Sequence, residues 1–250
     1  KGRFEEKFLS ILTDDQKILC PVTLGIIKHF SPSEFDSDED YNNWRMNKFE
    51  DQNINDDNNY NKKICDIVDK CIKIYAKKKI LIFANSVRHA HELKIILQVK
   101  YHLKAEAVDG TTNPGVRRKI VKQFKDQKSE LQILCNFGVF TAGFDVPLID
   151  TVVICRDTGN NSLITQMIGR GQRGPRSGGT DELWLFMNDV LHLISGKPIR
   201  LGWEDTAKDY LKFSDSIKND LGVQDFVYDK PVPPTYPHIL NNLSLIHISE

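Results

Sequence analysis

The segment QMIGRGQRGPRSGG, residues 166–179, combines arginines and glycines where an apolar helical pattern ends. Arg170 and Arg173 are three residues apart. A guanidinium stays charged at physiological pH and makes planar, bidentate contacts to phosphate oxygens. Two arginines at this spacing share a face if both lie on one helical turn. The pattern therefore predicts a site at which two arginines neutralise a phosphate group.

Two other interpretations of this segment stay open. Gly169, Gly171 and Gly174 match G-x-G-x-x-G, which is typical of dinucleotide binding only where it follows a strand and opens a helix. Here a helical pattern precedes the glycines, so the order is reversed. The remaining interpretation is a helix that ends in a solvated loop, where arginines interact favourably with the helix dipole.

The elements that must position these residues alternate from residue 64 onward. Strands are predicted for KILIFA, KAEAV, LQILC, TVVIC and ELWLFM. Helices are predicted for ICDIVDKCIKIYAKK, SVRHAHELKIILQVK, PGVRRKIVKQFKDQ and SLITQMIGR, with Ser86 as an N-cap and Pro114 in a first turn. An earlier apolar piece, ILCPVTLGII, is also a candidate strand. Unbroken apolar strands alternating with helices indicate an α/β fold, a parallel sheet with helices on both faces.

Composition narrows the classes of function. The 250 residues carry a formal net charge of zero, so binding to nucleic acid or membrane would need a local patch. No apolar run approaches the roughly 18 residues that span a bilayer. The five cysteines form no Cys-x-x-Cys pair and show no metal-ligand spacing. We therefore expect reduced thiols, a cytoplasmic protein, no membrane partner and no metal site.

Four segments together resemble the motifs of superfamily 2 helicases, in that family's order and spacing. Gln166-x-x-Gly169-Arg170-x-x-Arg173 resembles motif VI, and KILIFANSVRHAHEL resembles motif IV. CNFGVFTAGFDVPLIDTVVI resembles motif V through Thr141, Gly143, Asp145 and Pro147. AVDGTTNPGVRRKIVKQF resembles the segment between them through Asp109, Gly110, Arg117 and Phe124. The resemblance covers about residues 60 to 190 and implies the second RecA-like lobe of a DEAD/DEAH-type helicase, closest to DNA-directed restriction and repair subunits.

The resemblance also implies roles for individual residues. Arg173 would be the finger on the γ-phosphate of ATP, Arg170 a second phosphate contact or a brace to the other lobe, and Gln166 a neighbour of the nucleotide. The implied ATP-binding residues are Gly143, Asp145 and Gly169. The implied contacts to the nucleic-acid backbone are Ser86, Arg88, Thr111, Thr141 and Gly143. Arg117 and Arg118 are either further contacts or a solvated helix face, and His89 and His91 are expected to be ordinary core or surface residues.

The resemblance covers half of such a motor. The first lobe of the family carries G-x-x-x-x-G-K-[ST] and an acidic pair, which hold ATP and Mg²⁺. Neither occurs in this sequence, whose only Gly-Lys, at 196 and 197, precedes a proline. We therefore expect a first lobe upstream of Lys1, ATP and Mg²⁺ bound mainly there, and no activity from this chain alone.

The implied organisation has three regions. Residues 1–60 would connect the lobes through an acidic, Asn/Asp-rich loop, 61–190 would form the helicase domain, and 191–250 an extension with a Pro-rich linker. Expected partners are nucleic acid, with DNA favoured over RNA, the first lobe, and other subunits of a restriction- or repair-type complex. The alternatives are a nucleic-acid-binding or scaffold module of the same fold without catalysis, and the lobe of an RNA helicase.

Overall fold

The computed structural model describes residues 17–27, 58–139, 146–156, 161–188 and 210–225. One eight-stranded sheet lies at the centre, in the order β3-β4-β2-β5-β6-β1-β7, with β8 beside β1. All pairs are parallel except β1 with β8. The strands are β1 Val22–Ile27, β2 Ile80–Phe83, β3 Ala105–Val108, β4 Ile133–Asn136, β5 Thr151–Ile154, β6 Leu183–Asn188, β7 Leu211–Lys212 and β8 Val223–Gln224.

Helices cover both faces of the sheet, as the sequence predicted. They are α1 Asn58–Lys73, α2 Val87–Val99, α3 Pro114–Lys125, α4 Asn161–Ile168 and α5 Asp215–Leu221, with a 3₁₀ turn at Pro175–Ser177. Helices α1, α2 and α5 pack on one face, and α3 and α4 pack on the other. Within the described ranges, no helix is long and apolar enough to cross a membrane.

Local signals in the sequence explain where these elements begin. The strands β2, β4 and β5 are buried along their whole length, which is why they read as unbroken apolar runs. Helix α2 begins after Ser86, whose hydroxyl accepts the N–H of His89 at 3.0 Å. Helix α3 begins at Pro114, and the side chain of Asn113 accepts the N–H of Gly115 at 2.8 Å.

Segments from both flanking regions belong to the same sheet. The candidate strand in ILCPVTLGII is present as β1, which pairs with β6. Residues 210–225 add β7, α5 and β8 beside β1, and Phe213 packs against Trp184 with ring centroids 4.8 Å apart. Asp220 anchors this segment by accepting a hydrogen bond of 2.9 Å from the Tyr75 hydroxyl. The division into three regions at 60 and 190 stays a prediction.

Candidate functional site

The two arginines follow α4 in a tight turn, which we call the arginine turn, residues 169–174. The N–H groups of residues 169–171 donate back to carbonyls of the last helical turn at 2.9 to 3.2 Å. The helix ends at Ile168, and Arg173 forms an antiparallel bridge with Leu19. The condition under which Arg170 and Arg173 would share a face, that both lie on one helical turn, is therefore not met, because the α-helix stops before either residue.

Backbone hydrogen bonds hold the arginine turn from two sides. The carbonyl of Arg173 accepts the N–H of Thr180 at 2.9 Å. The N–H of Gly174 donates to the carbonyl of Ile18 at 2.8 Å. The position of Arg173 is thus set by main-chain contacts to the segment before β1 and to the segment before β6. A side chain on such a turn starts from a fixed backbone.

The predicted catalytic side chains are accessible to different degrees. Gln166 is exposed on α4, while Arg170 and Arg173 are half-buried. This placement fits side chains that contact a separate body of protein or its ligand.

Close packing within this turn occurs at Gly171 and Gly174 rather than at Gly169. A Cβ atom on Gly169 would lie 3.2 Å from the carbonyl oxygen of Thr165, in its own helix. A Cβ atom on Gly171 would lie 2.5 Å from Leu183, and one on Gly174 would lie 2.3 Å from the carbonyl oxygen of Lys17. Within this chain, it is Gly171 and Gly174 that let the turn pack against the sheet and the segment before β1.

The predicted contacts divide between opposite edges of the sheet. Gly171 packs against Val152 and Leu183, near the amino-terminal ends of β5 and β6. Ser86 and Thr111 follow the carboxyl ends of β2 and β3. The arginine turn and these two loops therefore lie at opposite edges of the sheet.

The loop before α2 offers hydrogen-bond donors at the carboxyl edge. The Ser86 oxygen accepts from the backbone of α2, so its own hydroxyl proton is directed elsewhere. The Arg88 side chain is 74% exposed, and its Nε donates to Glu92 at 2.6 Å. A helix N-terminus beside a hydroxyl and a guanidinium suits a phosphate of a nucleic-acid backbone.

His89 supports this loop from the core. Its Nδ1 accepts the N–H of Asn85 at 3.2 Å. The proton must then be on Nε2, which donates to the buried Asn61 side chain at 2.9 Å. Burial lowers the pKa of His89 to about 4. His89 is therefore a neutral core histidine that joins α1, α2 and the loop carrying Ser86.

We expect His89 to make folding stability depend on pH. Its pKa in the folded chain, about 4, is below the ordinary value of 6.5, so the unfolded chain binds more protons between these pH values. The contribution is present above pH 6.5 and is lost as the pH falls towards 4, at most about 3 kcal/mol. Urea unfolding of the wild type and of His89→Asn, across this pH range, measures the difference.

The two amide variants at this position separate the roles of the ring nitrogens. In His89→Asn, the side-chain oxygen lies near the position of Nδ1 and can still accept the N–H of Asn85. In His89→Gln, the amide reaches towards the position of Nε2, and the bond from Asn85 is lost. His89→Asn should therefore protect the Asn85 amide from hydrogen exchange better than His89→Gln. Equal protection in both variants would contradict the proposed support of the loop.

The loop after β3 is closed on itself by Asp109. Its carboxylate accepts both the N–H and the hydroxyl of Thr111, each at 2.6 Å, and contacts the His91 ring at 2.8 Å. The Thr111 hydroxyl bond is the main reason that the pKa of Asp109 falls to about 2. The donors of Thr111 are thus engaged inside the loop, and a phosphate that contacted them would have to compete with Asp109.

Arg117 braces the same loop from α3. Its guanidinium donates to the carbonyls of Asp109 at 2.9 Å and of Thr112 at 3.1 Å. The alternative of a fully solvated face does not apply to Arg117, whereas Arg118 is exposed. The sequence analysis did not predict this contact of Arg117. The loop sequence Asp109-Gly-Thr-Thr is nevertheless typical of local hydrogen bonds between side chains and backbone.

The remaining predicted contacts follow β4. Thr141, Gly143 and Asp145 lie outside the described residues. Asn136, at the end of β4, is buried and donates to the carbonyl of Ile82 at 2.9 Å, which ties β4 to β2. Among the described residues, no group of three or more His, Cys, Asp and Glu side chains could hold a metal ion.

Comparison with known proteins identifies the domain. Residues 61–174 match the model of the helicase conserved C-terminal domain. Together with a parallel sheet covered on both faces, this match defines the class of that segment: residues 61–174 belong to the C-terminal, RecA-like lobe of a superfamily 2 helicase. The predicted resemblance to such a lobe and the predicted fold class are confirmed, while the closer likeness to DNA-directed members stays a prediction.

Individual relatives share this region. IRC3 of Saccharomyces cerevisiae, named provisionally as an ATP-dependent helicase, is 31% identical over 144 residues, which cover 58% of this chain and 20% of that protein. The irc3 protein of Schizosaccharomyces pombe, named provisionally as a mitochondrial ATP-dependent helicase, is 34% identical over 115 residues, which cover 46% of this chain and 18% of that protein. The chain thus spans about a fifth of the length of these relatives.

A solved helicase structure is similar over part of the chain. Domain 2 of the DEAD-box helicase Mss116p, bound to an RNA duplex, has 26% sequence identity and a TM-score of 0.45. The similarity covers 63% of this chain and 61% of that one.

Proposed function

We propose that this chain is the second motor lobe of an ATP-dependent DNA helicase or translocase. The arginine turn would supply a phosphate finger to ATP held on another lobe, and the loops after β2, β3 and β4 would hold the nucleic-acid backbone. Both ligands are polyanions, and contacts to phosphates grip a strand without reading its sequence. Other subunits of a restriction- or repair-type complex and a cytoplasmic location belong to the same proposal.

The observation that carries the proposal is the fixed, half-buried position of Arg173. Its backbone is bonded on both sides, so the point from which its side chain extends is set before any ligand arrives. A guanidinium presented from such a point can stabilise developing negative charge on a transferring phosphoryl group. Arg170 lies two residues past the helix, and Gln166 is exposed on its last turn.

The arginine turn fits the phosphates of ATP. Two guanidiniums are phosphate ligands, and their positive charge opposes the negative charge of the phosphoryl oxygens. ATP supplies the phosphoanhydride whose cleavage drives the motor. The part of this chain would be to orient the γ-phosphate and neutralise its charge, with Mg²⁺ and the phosphate-binding loop on the first lobe.

The separation of the two surfaces suggests how they cooperate. The arginine turn lies at the amino edge of the sheet, and the nucleic-acid loops lie at the carboxyl edge. Closure of a first lobe onto the arginine turn would therefore move the carboxyl-edge loops as one rigid body with the sheet. Opening after hydrolysis would reverse that movement, and the strand would shift relative to the first lobe.

The test compares this chain with the full-length protein from which it derives. The isolated 250 residues should hydrolyse ATP no faster than buffer, since the finger lacks a nucleotide site. The full-length protein should hydrolyse ATP, with stronger stimulation by DNA than by RNA. Stronger stimulation by RNA would show that the lobe belongs to an RNA helicase. A full-length protein that does not hydrolyse ATP would show that the lobe is a binding module without catalysis.

A further inference from the structure

Helix α3 is unlike the other helices in the charge it presents. Its twelve residues include five basic side chains and no acidic one, although the whole chain has a net charge of zero. Arg117 turns inward to brace the loop after β3. The remaining four are exposed: Arg118, Lys119, Lys122 and Lys125. We call these four residues the α3 basic face.

Helices α1, α2 and α5 each carry basic residues that are paired with carboxylates. On α1, Lys62 contacts Asp66 at 3.9 Å, and on α2, Lys94 contacts Glu106 at 2.7 Å. On α5, Lys218 contacts two aspartates, at 2.8 and 2.9 Å. Within the described ranges of the chain, no ion pair joins any member of the α3 basic face to a carboxylate.

Helix stability does not account for this charge. Lys122 and Lys125 lie in the last turn, where the helix dipole favours cations. Arg118 and Lys119 lie nearer the N-terminus, where the dipole gives no such benefit. Arg118 and Lys122 are also four residues apart, and like charges at that spacing destabilise a helix. The arrangement therefore suits a polyanion outside the chain rather than the fold itself.

The position of α3 indicates which kind of polyanion its basic face would contact. The helix starts directly after the loop of residues 109–112, at the carboxyl edge where the proposed nucleic-acid contacts lie, and runs back towards the amino edge, where the Asp126 carbonyl accepts from Lys79 at 3.0 Å. From Arg118 to Lys125 the helix rises about 10 Å, at roughly 1.5 Å per residue. One strand of a duplex presents a phosphate about every 3.4 Å along the axis. The α3 basic face is thus long enough to follow about three phosphates.

We infer that the α3 basic face is a second contact surface for the nucleic-acid backbone. It would bind phosphates next to those held by the loops after β2 and β3. The inference rests on the proposed function and extends it to residues outside the helicase motifs. Because lysine and arginine contacts to phosphates release counterions, the surface should add to the salt dependence of binding without adding sequence preference.

The experiment measures the salt dependence of binding by the 250-residue chain. Fluorescence anisotropy follows a labelled random-sequence DNA duplex, about two helical turns long, between about 50 and 200 mM salt. The test variant is Arg118→Gln/Lys122→Gln/Lys125→Gln. The control variant is Lys73→Gln/Lys100→Gln/Lys212→Gln, which removes the same charge from exposed positions on the opposite face and the far edge of the sheet.

The expected result is a change in slope. The slope of log K against log salt is negative, and each lost phosphate contact reduces its magnitude by about 0.9. The test variant lacks three such contacts, so its slope should be about 2.7 shallower than that of the wild type. Over the fourfold salt range, the wild type would then lose about 40-fold more affinity than the variant. The control variant should keep the wild-type slope. Single variants at Lys122 and Lys125, each shallower by about 0.9, check the result if the triple variant is unstable.

Failure of this inference can be distinguished from failure of the proposed function. If the wild type binds the duplex and the test variant keeps its slope, the α3 basic face is not a contact surface, and the proposed lobe stands. The α3 basic face is equally ruled out if the control variant loses as much slope, since the effect is then one of net charge. If the wild type shows no salt-dependent binding, the proposed grip on nucleic acid is itself wrong.

Discussion

Replacing Arg173 by Ala in the full-length protein should lower ATP turnover on the order of 10³–10⁵-fold, the contribution of an arginine finger. The backbone of Arg173 holds the turn through its bridge to Leu19 and its bond from Thr180, and both survive the substitution. The loss should therefore appear in kcat, with nucleotide affinity largely kept, because the first lobe would hold most of ATP. Steady-state hydrolysis and binding of a fluorescent ATP analogue separate the two quantities.

Arg176→Ala is the matched control for this prediction. Arg176 is a neighbouring, exposed arginine in the 3₁₀ turn, and its backbone N–H bonds to the carbonyl of Lys17 in either variant. Its turnover should stay within about twofold of wild type, as expected for a surface side chain. Arg173→Lys keeps the charge but loses the planar fork, so it should recover part of the rate at most. Wild-type turnover in Arg173→Ala would remove the finger assignment.

Periodic patterns explain why the elements of the sheet could be predicted. The strands β2, β4 and β5 are buried on both faces, so nearly every residue had to be apolar, and the pattern stood out. The start of α2 followed from a single cap at Ser86. By contrast, β7 and β8 have two residues each, and such a short pairing has no periodic signal.

The details of the candidate site depended on contacts between distant parts of the chain. The spacing of Arg170 and Arg173 suggested a helical face, but the pairing of Arg173 with Leu19 draws that residue into an extended bridge. No spacing within residues 166–179 contains that information. The Asp109–Thr111 contact is different, because residues two apart can bond locally, and turn chemistry could have predicted it.

Replacing Gly174 by Ala should be the most damaging small change near the arginine turn. A Cβ atom there would lie 2.3 Å from the carbonyl oxygen of Lys17 and 2.7 Å from that of Leu19. Both neighbours are backbone atoms, so they cannot rotate away as a flexible side chain would. The segment 17–19 would have to move, and the bond from Gly174 to Ile18 would be lost with the bridge to Arg173.

We therefore expect Gly174→Ala to cost about 3 kcal/mol of unfolding free energy, as overpacking against a rigid neighbour does. Gly110→Ala is the control, because a Cβ atom there meets no atom within 4 Å, and its cost should stay below about 1 kcal/mol. Urea unfolding of the 250-residue chain measures both. Since the bridge fixes Arg173, the full-length Gly174→Ala protein should also lose turnover at temperatures where it is still folded. A folded variant with wild-type turnover would show that the finger does not need its backbone held, and would contradict the preorganisation on which its role depends.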